Sequence, residues 1–259
     1  MISVADAVGH LFALVSPLEA EHVPLTHANG RVLAQDVQAS RDQPPFAASA
    51  MDGYAVNAKD ITSGATFEVI GEAAAGHRWN DDVGPSQAVR IFTGAPLPNN
   101  TDHVIIQENV TRHGDTITLD SSANDKPHVR PAGADFKTGD TIKAPRLLSP
   151  SDIALLASMN IATVPVTRRP VVAMIATGDE LVQPGEVPGD DQIIASNIFA
   201  LQAMIAKTGG EALMVPIAPD TTAGLQDAFG AADAWGADIV VSIGGASVGD
   251  HDLLAGFAQ

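Results

Sequence analysis

Hydrophobic and polar positions change their period three times along the chain. Val4, Val8, Leu11, Phe12 and Val15 recur at helical spacing, which predicts an amphipathic helix over residues 3–16 with Ser3 and Asp6 as a capping pair. Short extended segments follow at 23–25 and 32–37, broken by Asn29-Gly30. Between 44 and 145 the pattern is one of short β-like runs (54–56, 67–70, 88–92, 103–107 and 116–119) separated by clusters of Gly, Pro, Asn and Asp. No helix of about ten residues fits there, so this stretch reads as a small all-β module. Ser149-Pro150-Ser151-Asp152 then caps a predicted helix ending near Asn160.

From Pro170 the pattern changes again. The continuous apolar run 171–176 suits a buried parallel strand. A helix is expected from Ser196-Asn197 to Lys207, where Gly209-Gly210 stops it. A strand over 213–217, a helix over 221–235 and a strand over 239–243 complete the alternation, which predicts a doubly wound α/β layer. At Asp252-Leu253-Leu254-Ala255 the pattern predicts the start of another helix, yet the chain stops a turn or two later. Three strands with an unfinished crossover make a poor independent sheet, so the expectation is an incomplete α/β domain within a longer polypeptide.

Length and composition narrow the function classes. The chain has 259 residues, of which 45% are hydrophobic, enough for a real core without staples. No apolar run approaches the ~20 residues of a membrane span. The start of the chain has no basic stretch before an apolar one, so a secretory signal is not expected and a cytoplasmic setting is. Cysteine is absent, which excludes disulfides, thiolate metal sites and thiol catalysis. With 14 Lys and Arg against 31 Asp and Glu, the net charge is −17. A nucleic-acid partner, which asks for a basic face, is excluded. From Arg168 onward the basic residues are Arg168, Arg169 and Lys207 alone, so an anionic ligand there must be held by backbone N–H groups or metal ions.

In doubly wound sheets ligands bind beyond the carboxyl ends of the strands. Here those ends lead into Thr177-Gly178-Asp179-Glu180, into Pro219-Asp220, and into the glycine-rich Gly244-Gly245-Ala246-Ser247-Val248-Gly249-Asp250-His251-Asp252. Acids and a loop able to turn N–H groups towards a phosphate thus share one edge, and clustered carboxylates suit Mg²⁺. Each piece has a plainer reading: Asp220 can cap the next helix, Asp179 can shape a turn, and His251 can sit in a solvated loop. Gly245-Ala246-Ser247-Val248-Gly249 also fits the G-x-S-x-G elbow of serine hydrolases, but only His251 follows Ser247, too near to act as an independent base. The eight histidines show no paired zinc spacing.

Three segments of the β-like stretch, read by composition alone, are turns: Pro44–Val56 with its core Ser49-Ala50-Met51-Asp52-Gly53-Tyr54-Ala55, then Ile91–Pro98 with Phe92-Thr93-Gly94-Ala95, then Val129–Asp135. Together with Arg130-Pro131-Ala132-Gly133-Ala134-Asp135, Thr177–Leu181 and Gly244–Asp252, they resemble the molybdopterin molybdenumtransferases, the MoeA/gephyrin E-domain family, in the family's order and over nearly the whole chain.

That resemblance implies a β-rich lobe (44–145) inserted in a linking domain (1–43 with 146–167), followed by a molybdopterin-binding α/β domain (168–259). It implies a homodimer whose active sites lie between the α/β domain of one subunit and the β lobe of the other. The implied reaction inserts molybdate into adenylylated molybdopterin with Mg²⁺, releasing AMP and molybdenum cofactor, with the adenylyltransferase of the same pathway as a further partner. By motif, Asp52, Thr93 and Asp135 would act from the β lobe, and Glu180, Asp220 and Asp252 from the α/β domain, these last three also holding the metal. Thr177, Gly178, Asp179, Gly244, Gly245, Ser247, Gly249 and Asp250 would hold the pterin or its phosphate. A non-catalytic scaffold of the same fold, as in gephyrin's E domain, is the rival expectation. The convergent acids favour the enzyme. Ser242-Ile243-Gly244-Gly245-Ala246 is a slight variant of the family's loop.

Overall fold

Strands from the two ends of the first 167 residues meet in one sheet. In the computed structural model, which describes residues 2–120 and 126–244, Ala20–Pro24, Thr163–Thr167, Val32–Leu33 and Arg146–Leu147 lie side by side in that order, all antiparallel. Val164 and Val166 bury their side chains with Leu33, Val37, Phe136, Ile142, Leu148, Leu156 and Met159 in one core. Val37–Gln38 pairs with Thr141–Ile142 beside it. The chain therefore leaves this core, folds the β lobe and returns. The 163–167 strand was not expected from sequence, because Pro165 within it is a poor strand signal.

Two helices belong to the same part of the chain. Helix α1, Val4–Ala13, is shorter than the predicted 3–16, and Ser3 caps it through the Asp6 N–H at 3.1 Å. None of its residues is buried. Helix α2, Pro150–Ser158, opens with a complete capping box in which Ser149 Oγ accepts from the Asp152 N–H and Asp152 accepts from the Ser149 N–H. The buried Asp152 carboxylate also meets Arg146 at 2.7 Å. Ser149 first, then Arg146, holds it below its ordinary pKa, despite burial.

The inserted lobe is a six-stranded mixed sheet in the order His103–Ile106, Gly53–Val56, Gln87–Ile91, Thr66–Ala73, Thr116–Leu119, Val110–His113. Successive side chains of a strand point to opposite faces. Tyr54, Val56, Ala88 and Ile105 accordingly join Phe67 and Ile117 in one cluster, while Ala55, Val89, Ile91 and Val104 join Ala73 and Ala95 in another. The Thr66–Ala73 strand outruns the predicted 67–70 because a bulge between Val69 and Gly71 lets it continue. Gly71 is needed there, since a Cβ would lie 2.0 Å from the Trp79 ring.

His103, at the start of its strand, is buried, and its Nε2 has no hydrogen-bond partner among the described residues. Burial, opposed by Asp102 and reinforced by His128, lowers its pKa below the ordinary 6.5. The unfolded chain then binds this proton more readily than the folded one. The resulting contribution is full above pH ~6.5 and is lost as pH falls through and below that value. The midpoint of thermal unfolding, measured from pH 8 to pH 5, is expected to fall less steeply in His103→Gln than in the wild type. Equal slopes would remove His103 as a source of acid sensitivity.

The last layer is parallel, with Val171–Ala176 between Glu211–Met214 and Ile239–Ile243. Helix α3, Asn197–Lys207, lies on one face against Met174 and Ala176, and helix α4, Thr222–Ala234, on the other against Ala173 and Ile175. This is the doubly wound arrangement expected from the apolar runs. The second strand ends at Met214 rather than at 217. Val215 N–H still reaches Met174 O at 3.0 Å, but Pro216 has no N–H to carry the ladder on. A small parallel pair, Leu181–Val182 with Ile193–Ile194, was not foreseen in the loop between. Arg168 leads into this layer with a two-pronged bond to Asp238 (2.8 Å each) and a bond to Glu19 at 2.5 Å. It pulls the Asp238 carboxyl down to about 2. Among the described residues no helix is long and apolar enough to cross a membrane.

Candidate functional site

Strand order 2-1-3 places a topological switch point between the carboxyl ends of Val171–Ala176 and Ile239–Ile243, where α/β folds open a crevice. Thr177, Gly178 and Gly244 sit there. The Thr177 N–H donates to Ile243 O at 3.0 Å and the Gly178 N–H to Ala218 O at 3.3 Å. Gly244 has φ +102°, and a Cβ on it would stand 2.6 Å from Thr177 O and 2.8 Å from Thr177 Oγ1. Only glycine lets the two strand ends close so far. Thr177 is buried, and its Oγ1 has no hydrogen-bond partner among the described residues, so a polar group able to use a ligand waits at the crevice.

The acids come next along the same edge. Asp179 accepts from the Asp220 N–H at 3.2 Å, tying the first and second strand ends together. The Glu180 carboxylate folds back over Gly178, close enough that a Cβ on Gly178 would lie 2.4 Å from it. A cleft of about 400 Å³ opens beside them, walled by Gly178, Asp179, Leu181, Val182, Pro216 and Glu186. Glu186, which accepts from the Gln183 N–H at 3.0 Å, was missed from sequence because it lies in no strand-end motif. The capping alternative for Asp220 does not hold: Thr221 is the N-cap of α4, accepting from the Gly224 N–H at 3.0 Å. A smaller cavity of about 100 Å³ adjoins the start of α3, where Ser196 makes no side-chain cap.

The three turn-like segments of the β lobe form one knot. The Gly94 N–H donates to Ser49 O, the Ser49 N–H to Ala95 O and the Leu97 N–H to Ala47 O, each at 2.9 Å. Ala48–Ser49 also pairs with Val129–Arg130, and Gly133 and Asp135 donate to Pro44 O and Gln43 O at 2.9 and 2.8 Å. Within this knot Asp52 Oδ1 accepts both the N–H and the hydroxyl of Thr93 at 2.8 Å. The Thr93 N–H, then its hydroxyl, and more weakly Arg90, hold the Asp52 carboxyl below its ordinary 3.8. Asp135 is paired with Arg130, a partner that sequence placed in the motif without giving it a role.

The expected residues therefore form two groups. Asp52, Thr93 and Asp135 share the knot, and Thr177, Gly178, Asp179, Glu180, Asp220 and Gly244 share the sheet edge. Among the described residues no hydrogen bond or ion pair joins the groups. Gly245, Ser247, Gly249, Asp250 and Asp252, and with them the serine-hydrolase elbow, lie outside the described residues. Among the described residues no group of three or more His, Asp or Glu is disposed to hold a metal ion.

Residues 2–160 match the family described as MoeA N-terminal region (domain I and II), and residues 173–257 the family described as probable molybdopterin binding domain. The chain is similar to the molybdopterin molybdenumtransferase of Haemophilus influenzae, with 37% identity over 92% of this chain and 59% of that protein. It is similar to that of a Nostoc species, with 37% identity over 98% of this chain and 60% of that protein. The crystal structure of a molybdopterin biosynthesis MoeA protein from Pyrococcus horikosii has a TM-score of 0.82 to it at 32% identity, covering 93% of this chain and 63% of that one. The chain thus spans about 60% of the length of the curated relatives it matches.

Proposed function

Since the chain belongs to the MoeA family, we propose that it carries the pterin-binding and β-lobe parts of a molybdopterin molybdenumtransferase, an enzyme of molybdenum cofactor biosynthesis. The substrates are adenylylated molybdopterin and molybdate, and the products are AMP and molybdenum cofactor. The observation that carries this reading is the switch-point crevice, where Thr177, Gly178 and Gly244 meet beside Asp179, Glu180 and Asp220. A pterin or its phosphate is held there by Thr177 Oγ1 and by the turn and loop of Gly178, Asp179, Gly244, Gly245, Ser247, Gly249 and Asp250, in a half of the chain almost without cations. Glu180, Asp220 and Asp252 accept protons and orient the attacking oxygen. The substrate's dithiolene supplies the soft sulfur ligands for molybdenum, which explains how a chain without cysteine can handle it.

Asp52, Thr93 and Asp135 reach the same reaction from the β lobe. No hydrogen bond or ion pair among the described residues joins them to the sheet edge, which supports a site shared between two subunits of a homodimer. The division into a linking domain (1–43 and 146–167), a β lobe (44–145) and an α/β domain (168–259) belongs to the same proposal, as do a cytoplasmic setting and the adenylyltransferase of the pathway as partner. Mg²⁺ at Glu180, Asp220 and Asp252 is also part of it. The described members of that set, Glu180 and Asp220, do not by themselves make a three-ligand site, and no step is derived through the metal.

The test is molybdate-dependent release of AMP from adenylylated molybdopterin by the full-length protein. Glu180→Gln and Asp52→Asn are each expected to slow it on the order of a hundredfold, the usual cost of losing a positioned proton acceptor. Turnover at the wild-type rate in both would sink the reading.

A further inference from the structure

Behind the Asp52–Thr93 contact sits a cation that no motif singled out. Arg90, half-buried on the Gln87–Ile91 strand, lies over two aromatic rings, with its guanidinium carbon 5.0 Å from the centre of Tyr54 and 4.8 Å from that of Phe92. Its Nη1 donates to Gly53 O at 3.1 Å and its Nη2 to Gln107 Oε1 at 2.5 Å. Gln107 in turn donates its backbone N–H to Asp52 O at 3.1 Å. Arg90 thus grips the residue after Asp52, the ring before Thr93, and, through Gln107, the backbone of Asp52 itself.

From this ring of contacts we propose that Arg90 is a positioning residue that holds Asp52 and Thr93 in register for the reaction. The proposal rests on the reading that places Asp52 and Thr93 in the active site. A planar fork is what the geometry needs. It can meet two rings while giving N–H groups to two oxygens, whereas an ammonium is a point charge without that shape. Simple charge compensation of Asp52 would be met equally well by lysine, and the two roles separate on that substitution.

The experiment is a carbon-13 titration of the Asp52 carboxyl in the full-length protein, with Arg90→Lys beside the wild type. Positioning predicts that Asp52 titrates higher in the lysine variant, back towards the ordinary 3.8, because its bonds from Thr93 loosen although the charge is kept. In the full-length protein the same variant is expected to lower kcat roughly tenfold with KM within about twofold, since a misplaced group costs rate more than binding. An Asp52 that titrates as in the wild type overturns the proposal. Should Arg90→Lys fail to fold, Gln107→Ala and Phe92→Leu each remove one arm of the grip. Both must raise the Asp52 titration, and if either fails to do so the proposal fails. Asp52→Asn separates the two readings: wild-type turnover there removes Asp52 from the active site, while lost turnover with an Asp52 indifferent to Arg90 refutes the positioning role alone.

Discussion

Gly53→Ala is expected to destabilise the β lobe by about 3 kcal/mol or more, at the upper end of what overpacking costs. Gly53 opens a strand paired on both sides, to Gln87–Ile91 and to His103–Ile106. A Cβ there would stand 2.0 Å from Ile105 O, 2.9 Å from Ile105 C and 3.0 Å from Ile106 Cα. All three atoms are backbone of the neighbouring strand, so no side chain can swing away, and the strands themselves must part. Urea unfolding would show a lower midpoint with the slope unchanged. Gly230→Ala is the control. That glycine lies inside α4 with nothing within 4 Å of a Cβ, so alanine there should stabilise by up to ~1 kcal/mol. A wild-type midpoint for Gly53→Ala would mean that Ile105 O does not lie against it. Because Gly53 follows Asp52 and its carbonyl takes the Arg90 bond, the variant should also disturb the Asp52–Thr93 contact.

Ile175→Ala is expected to cost about 2–5 kcal/mol, the range for emptying a large apolar side chain from a packed core. Ile175 is fully buried in the central strand of the parallel layer and packs with Val215, Leu225, Ala228 and Ala232. Its α4 neighbours are mostly alanines, too short to fill the space left behind. The loss should appear as a lower urea midpoint. It should also loosen the next turn of chain, since Thr177 follows two residues later and depends on the strand for its place at the crevice. Unchanged stability would mean that α4 does not pack on this face.

Much of the α/β layer was legible because its signals are local. The 171–176 run is apolar at every position, and Gly209-Gly210 ends α3 where expected. The β lobe was read less well. Its strands are short, a bulge at Val69/Gly71 extends one beyond its apparent end, and Pro165 hid the Thr163–Thr167 strand altogether. Asp220 passed for a helix cap because any short polar residue before a helix does. Which residue takes that role depends on backbone direction, and the chain uses Thr221.

Residue order alone established the strand–helix alternation, the acid-rich strand ends, the scarcity of cations after Arg169, where Lys207 stands alone, and the family motifs in their sequence. These are properties of neighbouring residues and of period, so no partner distant in the chain is needed to see them. Folding alone decided that segments 44–56, 91–98 and 129–135 tie into one knot, that Asp52 takes both donors of Thr93, and that Arg90 lies over both Tyr54 and Phe92. Apart from the neighbouring Arg90–Phe92 pair, those contacts join positions tens of residues apart, and their energy appears only once the sheet has paid the entropy of bringing them together.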